Sequence, residues 1–224
     1  DYGSRRACEE MIRQGHVTVN GAPARIGQRA DPGRDRIAVD GKPIRVKRSF
    51  VYVALYKPQG ILSDEGDGTG EFQTARELLP IAGHLFPVGR LDLKSEGLLL
   101  FTDDGELANL LTHPRYEHSK EYQVLVQGHP NVEALERWRR GVPLDDGVTL
   151  PADVSILEDG RNTTWLRVVL REGRKRQIRR VAYALGHPVE RLIRVRVGPV
   201  RLGAMKSGEW RYLNSREREA LERV

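Results

Sequence analysis

Cysteine is nearly missing from this chain: Cys8 is the only one in 224 residues. An intramolecular disulfide and a cysteine-built zinc site are therefore excluded, and a lone thiol is a weak basis for a mechanism. A reducing cytoplasm is the expected setting. The six histidines are scattered, with no spacing that would gather metal ligands, so each is expected to be structural or on the surface. No apolar run approaches the ~20 residues that cross a bilayer, and residues 1–5 do not begin a signal peptide, so no membrane partner is expected. The absence of an initiator methionine is expected to reflect trimming. The glycine-rich, acidic stretch "SDEGDGTG" at 63–70 lacks the Gly-Lys-Ser/Thr ending of a phosphate-binding loop, which argues against a nucleotide site.

What is present begins with charge. The formal net charge is only +6, but residues 1–48 carry 11 Lys/Arg against 6 Asp/Glu, residues 49–160 carry 9 against 19, and residues 161–211 carry 14 against 3. Solvated charges of this number occur on many proteins. Two basic blocks flanking an acidic middle are better explained by a polyphosphate lying across part of the surface, and nucleic acid is the leading partner.

The first basic block predicts a helix from Arg5 to Gln14, capped by Gly15, followed by short strands at 16–19 and 36–39. Each strand runs into a tight-turn dipeptide, Asn20-Gly21 or Asp40-Gly41. Arg5, Arg6 and Arg13 project from that one helix and can face a phosphate backbone. A basic connector at 46–49 leads to a second block that opens with an alternating strand at 50–56. Further on, "GRLD" at 89–92 places Asp92 beside Arg90, just ahead of the apolar run 97–101, which reads as a buried strand. A carboxylate anchored in this way is the first candidate for chemistry.

Asp103, with Glu106 three positions on, predicts a helix N-cap, and His113-Pro114 a helix end. Strand 119–126 puts Tyr122, Val124 and Val126 on one side, so Tyr122 fills core or faces a pocket. An amphipathic helix around 132–138 and paired strands at 152–157 and 163–170 follow. Residues 174–180 hold five basic side chains. On a helix through this region, Ile178, Val181, Ala182 and Leu185 make the buried stripe while Arg176, Arg179, Arg180 and Tyr183 share another face. Spacing alone fits either a solvated basic helix or a phosphate clamp with an arginine turned toward Asp92. Strands at 189–197 and 209–213 precede a last helix capped by Asn214 with Glu217.

These motifs carry a resemblance. "SRRACEEMIRQGHVTVNGAPARIGQRADPGRDRIAVDG" resembles the RNA-binding module named after ribosomal protein S4, entered at that module's second helix, so its first helix is expected to be missing. "YVALYKPQGILS", "FPVGRLDLKSEGLLLFTDDGELANLLTHP", "KEYQV" and "LREGRKRQIRRVAYALGHPVERLIRVRVGPV" are similar, in order, to the motifs of the RsuA family of ribosomal RNA pseudouridine synthases. The resemblance implies an α+β chain. An S4-like module would occupy 1–47, and a catalytic domain on a mixed, largely antiparallel sheet with flanking helices would occupy 48–224. It implies Asp92 as nucleophile, Tyr122 as the residue stacking on a flipped uracil, and Arg179 as the ion-pair partner of Asp92. Arg5, Arg6, Arg13, Arg90, Arg174, Lys175, Arg176 and Arg180 are then expected to hold RNA.

Isomerising uridine to pseudouridine involves no net redox change, so no metal or organic cofactor is expected. Ribosomal RNA is the implied partner, large-subunit RNA by likeness to the RluB-like branch and small-subunit RNA as the alternative, with the protein acting as a monomer. Two other classes fit less well. A non-catalytic assembly factor would give Asp92, Tyr122 and Arg179 no reason to converge. A sugar hydrolase needs a second acid at a fixed distance, and Glu96, Asp103 and Asp104 read as turn and capping residues.

Overall fold

Two short hairpins form the N-terminal sheet because both turn dipeptides take the left-handed conformation: φ is 53° and 84° at Asn20 and Gly21, and 48° and 77° at Asp40 and Gly41. The computed structural model describes residues 2–3, 5–31, 33–44, 49–64, 71–112 and 118–223. Ser4, most of the expected connector, the end of the acidic loop and His113-Pro114 lie outside the described residues. The chain divides into two units, residues 1–50 with 82–84, and residues 51–81 with 85–224. Among the described residues no helix is long and apolar enough to cross a membrane.

In the first unit helix α1 (Arg5–Arg13) is closed by Gly15 at φ 80°. Gly15 N–H donates to the Ile12 carbonyl and His16 N–H to that of Met11, the paired bonds of a Schellman ending. Strands β1 (Val17–Val19), β2 (Ala22–Pro23), β3 (Ile37–Val39) and β4 (Lys42–Pro43) form an antiparallel sheet in the order β2-β1-β3-β4. Asn20 fastens the intervening loop, donating to Asp35 at 2.8 Å and accepting from Arg36 N–H at 2.9 Å.

The second unit is built on a nine-stranded sheet. Its strands are β5 (Tyr52–Lys57), β6 (Phe86–Val88), β7 (Glu96–Thr102), β8 (Lys120–Gln127), β11 (Asp153–Asp159), β12 (Thr163–Leu170), β13 (Val189–Val197), β14 (Val200–Arg201) and β15 (Trp210–Tyr212). The main order is β11-β12-β8-β13-β7-β5-β15, with β14 on β13 and β6 on β7. Every strand pairing in this sheet is antiparallel except β7 with β13, where Glu96 and Gly97 lie beside Ile193 and Arg194. Strands β9 (Pro143–Leu144) and β10 (Gly147–Val148) make a separate hairpin. The expected mixed, largely antiparallel α+β architecture is what the chain adopts.

Strands β5 and β7 are buried on both faces. Ala54, Tyr56, Leu98 and Leu100 point into one core with helices α2 (Gly105–Thr112) and α5 (Ser215–Glu222), while Val53, Leu55, Leu99 and Phe101 point into another with Ala75, Leu79 and Leu91. A third cluster packs helices α3 (Val132–Arg140) and α4 (Gln177–Ala184) on β8, β11 and β12. Each buried Leu or Phe contributes about 1.5–3 kcal/mol, more than the ~1 kcal/mol of a helix cap. Strand β7 is therefore the anchor on which the segment before it, including Asp92, depends.

Two local expectations need correction. The cap of α2 is Asp104, whose Oδ1 accepts from Glu106 and Leu107 N–H at 3.1 Å, while Asp103 accepts from Val51 N–H at 2.8 Å. Arg176, expected to share a helical face with Arg179 and Arg180, lies ahead of α4 instead, because it sits in the left-handed region at φ 52° and residues 171–176 form a loop.

Gly97 sits at φ 108°, and a Cβ placed there would lie 2.4 Å from the carbonyl oxygen of Arg194. Strain in the left-handed region and a backbone clash are each worth about 1–3 kcal/mol, so Gly97→Ala is expected to lower stability by about 2–5 kcal/mol in urea denaturation. A loss below about 1 kcal/mol would show that the β7–β13 contact can open without consequence.

Candidate active site

The C-terminal half of the sheet and the segment before β7 enclose a cavity of about 790 Å³. Asp92 enters it because Leu91, one residue earlier, is buried in the core beside Phe101, and because β7 begins four residues later. Tyr122 enters it from β8, half-buried where two cores meet. Arg90, Arg174, Lys175 and Arg176 also line the cavity. Six of the residues singled out in the sequence thus share one wall-to-wall space. Arg179 and Arg180 follow on α4 without lining it, and Arg5, Arg6 and Arg13 belong to the other unit.

Arg179 does not make the expected ion pair with Asp92. Its Nη2 donates to the Lys94 carbonyl at 2.6 Å and to Ser95 Oγ at 3.4 Å, and its Nη1 to the Val189 carbonyl at 3.3 Å. The guanidinium reaches the backbone after Asp92 instead of the carboxylate. The charge of Asp92 still acts on it: burial and then Arg176 push the Arg179 pKa down, and Asp92 offsets part of that.

The basic cluster divides in the same way. Arg174 donates to the carbonyls of Asp146, Gly147 and Val148 and to Glu172, and Arg180 makes a two-pronged pair with Asp146 at 2.8 and 3.0 Å. Both therefore bolt the 171–180 segment onto the β9–β10 hairpin, where phosphate contacts were expected. Lys175 and Arg176 are exposed at the cavity edge. Arg90 is 75% exposed and pairs with Asp64 at 3.2 Å. On α1, Arg5 and Arg13 pair with Glu9 and Glu10 in exposed positions, and Arg6 is exposed.

Sequence reading missed the cations beneath the cavity. Arg194 is 2% exposed, with Nε donating to the Leu98 carbonyl at 2.8 Å and Nη1 to the Arg90 carbonyl at 3.2 Å. Lys57 is fully buried and donates to the carbonyls of Pro58 and Ile61 at 2.8 and 2.7 Å. Burial, then Arg194, bring the Lys57 pKa down to about 8, with Glu96 and Asp92 opposing. Lys120, which also lines the cavity, is lowered by burial and by Arg194. Glu96 lies among them, and although burial pushes its carboxyl up, hydrogen bonds from Arg191 and Tyr56 hold it below the usual range.

Alternation could not announce Arg194, because β13 carries register shifts on both sides of it, between Val189 and Arg191 and between Arg194 and Arg196. Among the described residues two buried side-chain donors lack a partner, Arg179 Nε and Arg194 Nη2, a condition worth about 1–3 kcal/mol each. Among those residues, no group of three or more His, Cys, Asp or Glu is placed to hold a metal ion.

Residues 51–184 match the family model described as RNA pseudouridylate synthase, and residues 2–35 match the S4 domain. The chain belongs to the RNA pseudouridylate synthase family. Similar relatives of this synthase include an uncharacterised RNA pseudouridine synthase of Aquifex aeolicus, 42% identical over 96% of this chain and 86% of its own length. Another is the ribosomal large subunit pseudouridine synthase B of Bacillus subtilis, 38% identical over 96% of this chain and 88% of its own. A solved structure described as a crystal structure of pseudouridylate synthase covers 97% of the chain and is covered to 94%, with a TM-score of 0.71 and 30% identity.

The Lys57 value gives the synthase a signed pH dependence. Its amine holds fewer protons folded than unfolded between about pH 8 and 10.5, so its contribution to stability rises with pH across that window. The unfolding free energy of wild type minus that of Lys57→Met is expected to grow between pH 8 and 10 in urea titrations. A difference that stays flat would refute the burial of the amine.

Proposed function

We propose that this synthase isomerises a uridine of large-subunit ribosomal RNA to pseudouridine, with Asp92 as the nucleophile and the target base flipped into the cavity. The observation that carries the reading is the convergence of Asp92 and Tyr122 on one cavity underlain by buried cations. Large-subunit RNA is favoured by the relatives from Bacillus subtilis and Pseudomonas aeruginosa, both named ribosomal large subunit pseudouridine synthase B.

The reaction breaks the bond from the anomeric carbon to uracil N1, turns the base and joins the same carbon to C5. N1 gains a proton and C5 loses one, so atoms and electrons balance without an external reagent. Attack on the anomeric carbon, attack on the uracil ring and assisted glycal formation share one requirement, a carboxylate held against the junction of ribose and base. Asp92 supplies it. Tyr122, packed between two cores, gives the extruded uracil a surface on which to stack, worth about 1–3 kcal/mol per base.

Arg179 acts in this reading through the Lys94 carbonyl and Ser95, steadying the backbone that follows Asp92. Exposed Arg90, Lys175 and Arg176 meet phosphates at the cavity rim, and Arg5, Arg6 and Arg13 do so on the S4 unit. Arg174 and Arg180 contribute by holding the 171–180 segment on its hairpin.

Mapping pseudouridine in ribosomal RNA from cells with and without this gene is expected to reveal a large-subunit uridine that is modified only when the protein is present. Loss of a small-subunit site alone would overturn the substrate assignment. Purified Asp92→Asn is expected to give no detectable pseudouridine while binding RNA within about threefold of wild type, since the carboxylate acts on the chemical step. Substantial turnover by that variant would overturn the nucleophile.

A further inference from the structure

Both unpartnered buried donors belong to arginines that grip the segment carrying Asp92, one from each side. Ahead of Asp92, Arg194 holds the carbonyl of Arg90, and Ser63 Oγ donates to the Leu91 carbonyl at 2.7 Å while accepting from Leu91 N–H at 2.8 Å. Behind it, Gly60 N–H donates to the Leu93 carbonyl at 2.8 Å, and Arg179 holds Lys94 and Ser95. The Asp92 carbonyl accepts from Ser95 N–H at 2.9 Å, so every residue from 90 to 95 has a main-chain or side-chain contact. Connecting segments are usually held at few points and are mobile. This one is held throughout.

Stability alone does not account for Arg194. Apolar side chains of similar volume often stabilise a protein as well as buried charge does, so a sealed guanidinium needs another reason. Its geometry gives one: Nε and Nη1 reach the Leu98 carbonyl of β7 and the Arg90 carbonyl of the loop at once, tying the loop to the strand. A lysine can donate to two carbonyls, as Lys57 does, but it lacks the rigid planar fork that fixes the direction of both bonds. The third donor, Nη2, is left over from that arrangement.

We propose that Arg194 and Ser63 are positioning residues for Asp92. They fix the main chain at residues 90 and 91, and so set the direction from which the carboxylate meets the uridine. The inference rests on the reading of Asp92 as nucleophile. A reacting carboxylate misplaced by about 1 Å can lose about 100-fold in rate, so the effect belongs in the chemical step and not in RNA binding.

The test uses full-length enzyme and ribosomal RNA transcripts that wild type modifies. Arg194→Lys and Ser63→Ala are each expected to lower kcat about 10- to 100-fold with KM within about threefold of wild type. Because both act on the same stretch of chain, the double variant is expected to be no slower than the slower single variant, to within about threefold.

Arg196→Lys is the control. It lies on the same strand and donates to Glu121, Ser119 and the Gly198 carbonyl, so it is expected to lower Tm and leave kcat unchanged. A kcat within about twofold of wild type in either folded single variant, a loss confined to KM, or multiplicative losses in the double variant would overturn the proposal. Should Arg194→Lys not fold, Ser63→Ala alone decides by the same kcat criterion. An active Asp92→Asn would instead mean that the nucleophile assignment has failed, whereas an inactive Asp92→Asn beside a fully active Ser63→Ala would mean that only the brace has.

Discussion

The backbone pairing between the two halves of the large sheet is confined to one narrow place, where Glu96 and Gly97 of β7 lie parallel to Ile193 and Arg194 of β13. On one side are β5, β6 and β15, with the segment bearing Asp92; on the other are β8, β11 and β12, with Tyr122. Carboxylate and tyrosine face the same space because those two halves meet there in the strand order. The joint depends on a residue without a side chain, since any Cβ at Gly97 would lie inside the neighbouring main chain. The site is therefore a property of sheet assembly before it is a property of any catalytic side chain.

That assembly brings positive charge inward. Lys57, Lys120 and Arg194 are all withdrawn from water around one end of the sheet, and Glu96 is paired with Arg191 and Tyr56. Asp92 acts on both Lys57 and Arg179, so its charge is matched by a field from several directions rather than by one contact pair. Fields of this kind are effective where water is scarce, because little screening intervenes. In the proposed reaction, a uracil losing its bond to ribose carries its new negative charge into these surroundings, where fixed cations favour it.

Much of the fold was legible because local chemistry and global structure agree. The dipeptides Asn20-Gly21 and Asp40-Gly41 form the turns their residue types favour, Gly15 closes α1, and Asn214 with Glu217 forms the capping box at α5. The order of the motifs led to Asp92 and Tyr122. Three things were hidden. Arg176 takes a left-handed backbone that no helical periodicity reveals, and this leaves it outside α4. Arg194 sits between two register shifts, which defeat a period of two. Lys57 looks like an ordinary strand-ending lysine until its amine is seen folded back on the carbonyls of Pro58 and Ile61. Each depends on a local backbone or side-chain conformation that residue types and their spacing do not specify.

The hairpin carrying Asp145 and Asp146 changes the meaning of the basic cluster facing it. Arg174 and Arg180 already hold carbonyls and a carboxylate, so a phosphate arriving there must displace a tethered competitor whose local concentration never falls. Of the five positive charges in this run, two are thus already committed within the chain, which leaves Lys175 and Arg176 as its exposed members.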